Sequence, residues 1–167
     1  FSGKASFNSL KPISIENILG RDPITPNLDI LKKEIRNKVV CVTGAGGSIG
    51  SEICRQIVKL NPSSLIMIEI SEYALYTIQQ EINTLNPDIK LYSVLGNMVN
   101  ISFMEDVFRK KNIDIVFHAA AYKHVPIQEL HPWTAVKTNL GGTYNMVRLS
   151  DKYSVDKFVL VSTDKAV

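Results

Sequence analysis

The segment Thr43-Gly44-Ala45-Gly46-Gly47-Ser48-Ile49-Gly50 constrains this chain more than any other. It follows the apolar run Val39-Val40-Cys41-Val42. It precedes apolar residues at helical spacing (Ile49, Ile53, Ile57, Leu60) that stop at Asn61-Pro62. A strand entering a helix through a glycine-rich turn offers backbone N–H groups and a partial positive charge at the helix start. The glycines let the chain turn tightly and let a phosphate approach without a Cβ in the way. The spacing Gly44-x-x-Gly47-x-x-Gly50 differs from the common G-x-G-x-x-G, although Gly46 supplies a glycine there as well. In this setting Gly44, Gly46, Gly47, Ser48, Ile49 and Gly50 are expected to bind a dinucleotide; the alternative is a tight turn without a ligand.

The same alternation continues downstream. Strands are predicted at Leu65 to Ile70, Ile89 to Leu95, Ile113 to Phe117 and Phe158 to Val161. Helices are predicted at Tyr73 to Leu85, Phe103 to Lys110 and Pro132 to about Asp151, with Pro132 suited to a first helical turn. Near-continuous apolar strands joined by helices imply a parallel sheet covered on both faces. The fold class is therefore α/β, a Rossmann-type doubly wound parallel sheet. Residues 1–36 lack a sustained period and are punctuated by Pro12, Gly20, Pro23 and Pro26, so they read as a leader or linker before a domain spanning 37–167. A sixth strand and a substrate lobe normally follow the fifth strand, so the chain is read as truncated after strand five.

Four further loops carry candidate chemistry. Glu69-Ile70-Ser71-Glu72 ends the second strand, where an acidic residue typically holds the adenosine ribose. Glu69, Ser71 and Glu72 are candidates, against a solvated turn at a helix start. No Arg or Lys lies in this turn to accept a 2′-phosphate, which favours NAD over NADP. Asn97 and Met98 follow the third strand and are placed at the adenine, or in a plain turn. After the fourth strand, Ala119, Ala120 and Ala121 leave room for a ligand, and Lys123 and His124 face it or lie in a surface loop. Thr163, Asp164 and Lys165 end the fifth strand, where a hydroxyl, a carboxyl and an amine can bind a sugar and move protons. An exposed polar turn is the alternative.

Composition removes several other classes. The net charge is +3 with scattered Lys and Arg, so nucleic acid is not an expected partner. No apolar run approaches the roughly 20 residues of a membrane span, so direct membrane contact is not expected. The three histidines lack metal-ligand spacing, and no metal is expected. The two cysteines suggest no disulfide framework, which fits a reducing cytoplasm.

Five motifs in register, TGAGGSIGSE (43–52), SEYALY (71–76), FHAAAYKHVP (117–126), KTNLGGT (137–143) and VSTDKAV (161–167), resemble the CapD-type polysaccharide biosynthesis proteins. These are extended short-chain dehydrogenase/reductases acting as UDP-N-acetylhexosamine 4,6-dehydratases in bacterial capsule and lipopolysaccharide synthesis. The leader ISIENILGRDPI (13–24) also resembles the segment preceding this domain in membrane-anchored members. The resemblance implies a lyase with bound NAD(P) and a UDP-sugar substrate. It also implies a homo-oligomer in the cytoplasm, anchored to the inner membrane through an upstream segment. Thr163 would contact the sugar, Asp164 and Lys165 would be acid and base, and Asn139 would be the helix-borne structural Asn. Asn97 departs from the family's usual Gly-Asp. The family's Tyr-or-Met-x-x-x-Lys helix and sugar lobe would lie beyond Val167, so this segment alone is expected to be inactive. A nucleotide-sugar 4-epimerase and a non-catalytic NAD-binding regulatory module are the alternative readings.

Overall fold

The computed structural model describes residues 27–163. Five strands, β1 (Val39–Thr43), β2 (Ser64–Glu69), β3 (Leu91–Leu95), β4 (Ile115–His118) and β5 (Lys157–Leu160), form one sheet in the order β3-β2-β1-β4-β5. Every neighbouring pair is parallel. This is the Rossmann arrangement, with strand order reversing beside β1.

The period of two along β1 and β2 sorts side chains onto the two faces. Val40, Val42, Leu65 and Met67 pack against Cys54, Ile57 and Val58 of α2 (Ser48–Val58) and Leu75, Ile78 and Ile82 of α3 (Glu72–Leu85). Cys41, Ile66, Ile68 and Val116 face the other way, onto Met104, Val107 and Phe108 of α4 (Ile101–Lys111) and Met146 and Leu149 of α7 (Thr143–Lys152). The central strands are thus buried on both sides, whereas the edge strand β5 has three of its four residues exposed. Helix starts follow local capping chemistry: Ser71 accepts the Ala74 N–H above α3 and Asn100 the Phe103 N–H above α4.

Three elements depart from the sequence reading. Helix α1 (Leu28–Ile35) lies within the leader, and its Ile35 enters the core beside Val40. Its apolar residues Leu28, Leu31 and Ile35 have helical spacing but span only two turns, too short a stretch to stand out as a sustained period. Residues 1–26, including the 13–24 motif, lie outside the described residues. A short helix α5 (Val125–Leu130) occupies what reads as loop, with Pro126 in its first turn and no buried side chain to create a periodic signal. The long helix beginning at Pro132 is present, but as α6 (Pro132–Ala135), a π-helical segment (Val136–Gly142) and then α7.

Candidate functional site

The carboxyl ends of β1, β2, β3 and β4 open into one cleft of about 260 Å³. Its wall contains Gly44, Gly46 and Gly47 after β1, Glu69 at the end of β2, Asn97 and Met98 after β3, and Ala119, Ala120 and Ala121 after β4. A cleft at the strand-order reversal is where open α/β sheets take ligands.

The glycine loop is built by close backbone approach. Gly44 has φ +65°, and a Cβ there would stand 2.8 Å from the Ala120 Cα. A Cβ on Gly50 would stand 2.0 Å from the Gly44 carbonyl oxygen. A Cβ on Gly47, by contrast, would meet only that carbonyl, at 3.2 Å. Gly47 caps α2 without a side-chain hydrogen bond, so the first-turn N–H groups of Ser48 and Ile49 lack an intrahelical acceptor. Gly50 supports the loop from behind, buried.

Glu69 is committed to this loop. One carboxylate oxygen accepts the Gly46 N–H at 3.0 Å; the other accepts the Ile70 and Ser71 N–H groups at 2.9 and 3.1 Å. Of the two candidate glutamates, Glu69 lines the cleft, whereas Glu72 opens α3 outside its wall. Ser71 serves as the α3 cap. Asn97 accepts the Val99 N–H, shaping the turn after β3.

Asn139, inside the π segment, does not line the cleft. Its amide grips Tyr122, accepting the N–H and donating to the carbonyl, both at 2.8 Å. That pairing holds the chain leaving Ala121, while the neighbouring Thr138 reaches the cleft wall. Lys123 and His124 are exposed and outside the wall. Thr163 lies three residues beyond the end of β5 and is exposed; Asp164 and Lys165 lie outside the described residues. The sequence reading assigned no role to Thr43, Ile68, Ile70, Ala74, Tyr122 and Thr138, which also line the wall. All of these but Ile68 lie inside loops or motifs already quoted, but no local signal marks which of their residues face the cleft. Among the described residues no group of three His, Cys, Asp or Glu side chains comes together as a metal site, and no helix is long and apolar enough to cross a membrane.

Beneath the cleft, His118 is buried, with Nδ1 2.7 Å from Thr43 Oγ1 and Nε2 2.9 Å from Thr143 Oγ1. Burial pushes its pKa down from 6.5 to about 4. The unfolded chain therefore takes up this proton first as pH falls. The stabilisation is complete above pH 6.5 and is lost between 6.5 and about 4, amounting to about 3 kcal/mol. Urea unfolding at pH 7 and pH 4.5 should show a smaller loss in His118→Gln than in the parent. Equal losses in both would mean His118 does not carry this pH dependence.

Residues 40–167 match the family described as polysaccharide biosynthesis protein. The chain is 41% identical over 167 residues to the capsular polysaccharide biosynthesis protein CapD of Staphylococcus aureus, covering 99% of this chain and 28% of that protein. It is similar to the X-ray structure of Pen from Bacillus thuringiensis, with TM-score 0.72 and 31% identity over 80% of this chain and 41% of that one. It is also similar to UDP-glucose 4-epimerase from Bifidobacterium longum, solved with NAD+ and UDP, with TM-score 0.63 and 26% identity over 75% of this chain and 37% of that one.

Proposed function

This chain belongs to the polysaccharide biosynthesis protein family, and from that premise we propose that it is the cofactor-binding part of a UDP-N-acetylhexosamine 4,6-dehydratase. The observation that carries the reading is the cleft at the strand-order reversal, with a glycine turn opening α2 on one side and the three alanines on the other. Its features fit a dinucleotide: a Cβ-free floor at Gly46 and Gly47, a helix start facing the cleft, and a carboxylate, Glu69, at the end of β2. Gly44, Gly46, Gly47, Ser48 and Ile49 would hold the pyrophosphate, Glu69 the adenosine ribose, and Asn97 and Met98 the adenine.

The chemistry a nicotinamide supplies in such a site is reversible hydride transfer, out of the sugar's C4 and back at C6. The C4 ketone makes the C5 proton acidic. In our reading the C4 hydroxyl proton passes to solvent, Lys165 removes the C5 proton, Asp164 protonates the departing C6 hydroxyl so that it leaves as water, Lys165 returns a proton to C5 as the hydride arrives at C6, and Thr163 binds the sugar. The net reaction is loss of water without net oxidation. The 4-epimerase alternative shares fold and cofactor but needs no proton transfer at C5, so Asp164-Lys165 favours dehydration. The expected homo-oligomer finds support in exposed Leu130, Trp133, Leu140 and Tyr144, which a second copy would cover.

Because this chain spans 28% of CapD, the test uses the full-length protein that carries it. Incubated with UDP-N-acetylglucosamine in deuterium oxide, it should form a 4-keto-6-deoxy product labelled at C5. Recovery of only a C4 epimer would replace the dehydratase reading with the epimerase one.

Cofactor choice is a separate expectation. A 2′-phosphate adds about −2 charge beside the Glu69 carboxylate, and repulsion between such partly buried charges costs on the order of 1–3 kcal/mol. NAD should therefore bind about 5–150-fold more tightly than NADP. Direct competition measures the ratio; a preference for NADP would place this carboxylate away from the ribose.

A further inference from the structure

We infer that His118 is a positioning residue for this cleft, tying the last residue of β1 and the chain beyond β4 to the start of α7. The inference rests on the dinucleotide reading above. His118 itself is absent from the cleft wall, so it acts through its partners. On one side is Thr43, which does line the cleft and whose hydroxyl oxygen also accepts the Ala120 N–H at 3.4 Å. On the other is Thr143, the first residue of α7, directly after the π segment that carries Thr138 and Asn139. A single imidazole thus connects three parts of the wall: the entry to the glycine loop, the alanine run, and the helix that presents Thr138 and grips Tyr122.

Thr43 Oγ1 accepts from Ala120 and keeps its own proton and a second lone pair for His118 Nδ1. His118 Nε2 is likewise paired with the Thr143 hydroxyl. Because each hydroxyl can donate one hydrogen bond and accept two, a neutral imidazole has both ring nitrogens satisfied between them. A histidine retained for packing alone would need neither hydroxyl, since the Phe158 ring, 5.7 Å from it, already supplies an apolar neighbour.

The test separates positioning from general stability. Thr143 lies outside the cleft wall, and Thr143→Val removes its hydroxyl at nearly constant shape. NAD affinity of the full-length protein that carries this chain should fall about 3- to 10-fold, the worth of one or two hydrogen bonds, and Thr143→Ser should restore it. Ring-nitrogen NMR should show a neutral His118 in the parent and a changed tautomer ratio in Thr143→Val. Unchanged NAD affinity in Thr143→Val, whatever its melting temperature, would overturn the inference. So would a loss that Thr143→Ser fails to restore. If the parent binds no NAD, the cofactor reading falls on its own. The network is then decided by Ala120 amide exchange: faster exchange in Thr143→Val than in the parent upholds it, and equal rates overturn it.

Discussion

Lys165→Met and Asp164→Asn, made separately in the full-length protein, are each expected to lower kcat by about 10²–10⁴-fold, the usual worth of general acid–base catalysis. Once C4 is a ketone, loss of the C5 proton gives an enolate, and elimination of the C6 hydroxyl needs that oxygen protonated. On the proposed reading the amine of Lys165 would be desolvated beside a cationic ring, which depresses an amine's pKa and suits a base near neutral pH. On the same reading the carboxyl of Asp164 would be desolvated beside the sugar, which raises a carboxyl's pKa and suits an acid. The two variants should fail differently. Lys165→Met should abolish deuterium uptake at C5, whereas Asp164→Asn should retain exchange and lose dehydration. NAD affinity should hardly change in either, because neither residue belongs to the glycine turn. Dehydration within a few-fold of the parent rate in both variants would reduce Thr163-Asp164-Lys165 to a polar turn.

The glycine loop should divide into a position that holds the fold and one that holds the ligand. Gly50→Ala places a methyl 2.0 Å from the Gly44 carbonyl, a backbone atom that cannot swing aside. The helix start must move, and the expected cost is about 4 kcal/mol of stability, at the upper end for a single substitution. Gly47 is exposed, and a Cβ there meets one atom at 3.2 Å, so Gly47→Val should fold with a modest penalty. Its branched side chain would instead fill the approach to the α2 N-terminus, and NAD affinity should drop at least about 100-fold. Thermal melting and calorimetry separate the two effects. Equal NAD affinity for Gly47→Val and the parent would remove this loop from the binding site, and a parent-like melt for Gly50→Ala would contradict the close approach.

What could be read from the sequence was whatever has a local period or a local conformational demand. The β-branched and aliphatic runs of β1 and β2 announce buried strands, the Asn-Pro stops after Leu60 and Leu85 bound their helices, and Gly44 to Gly50 demand a tight turn. Helix α5 stayed hidden because it buries no side chain and so leaves no period. The same limit applied to the site. Glycines and alanines announce space for a ligand by what they lack, and Gly44, Gly46, Gly47 and Ala119 to Ala121 all line the cleft.

The sequence by itself thus determined the Rossmann alternation, the glycine turn at its centre and the loops from which a site is assembled. Tertiary structure alone decided which residues of those loops face one another. It directed Glu69, rather than Glu72, to the Gly46 N–H, put Thr138 in the cleft wall, turned Asn139 onto Tyr122, and buried His118 between Thr43 and Thr143. The physical reason is range: periodicity and turn chemistry act over a few residues. The Thr43–His118 and Asn139–Tyr122 pairings join residues 75 and 17 apart: parallel pairing of β1 with β4 sets the first, and the π segment lying beside the chain that leaves β4 sets the second.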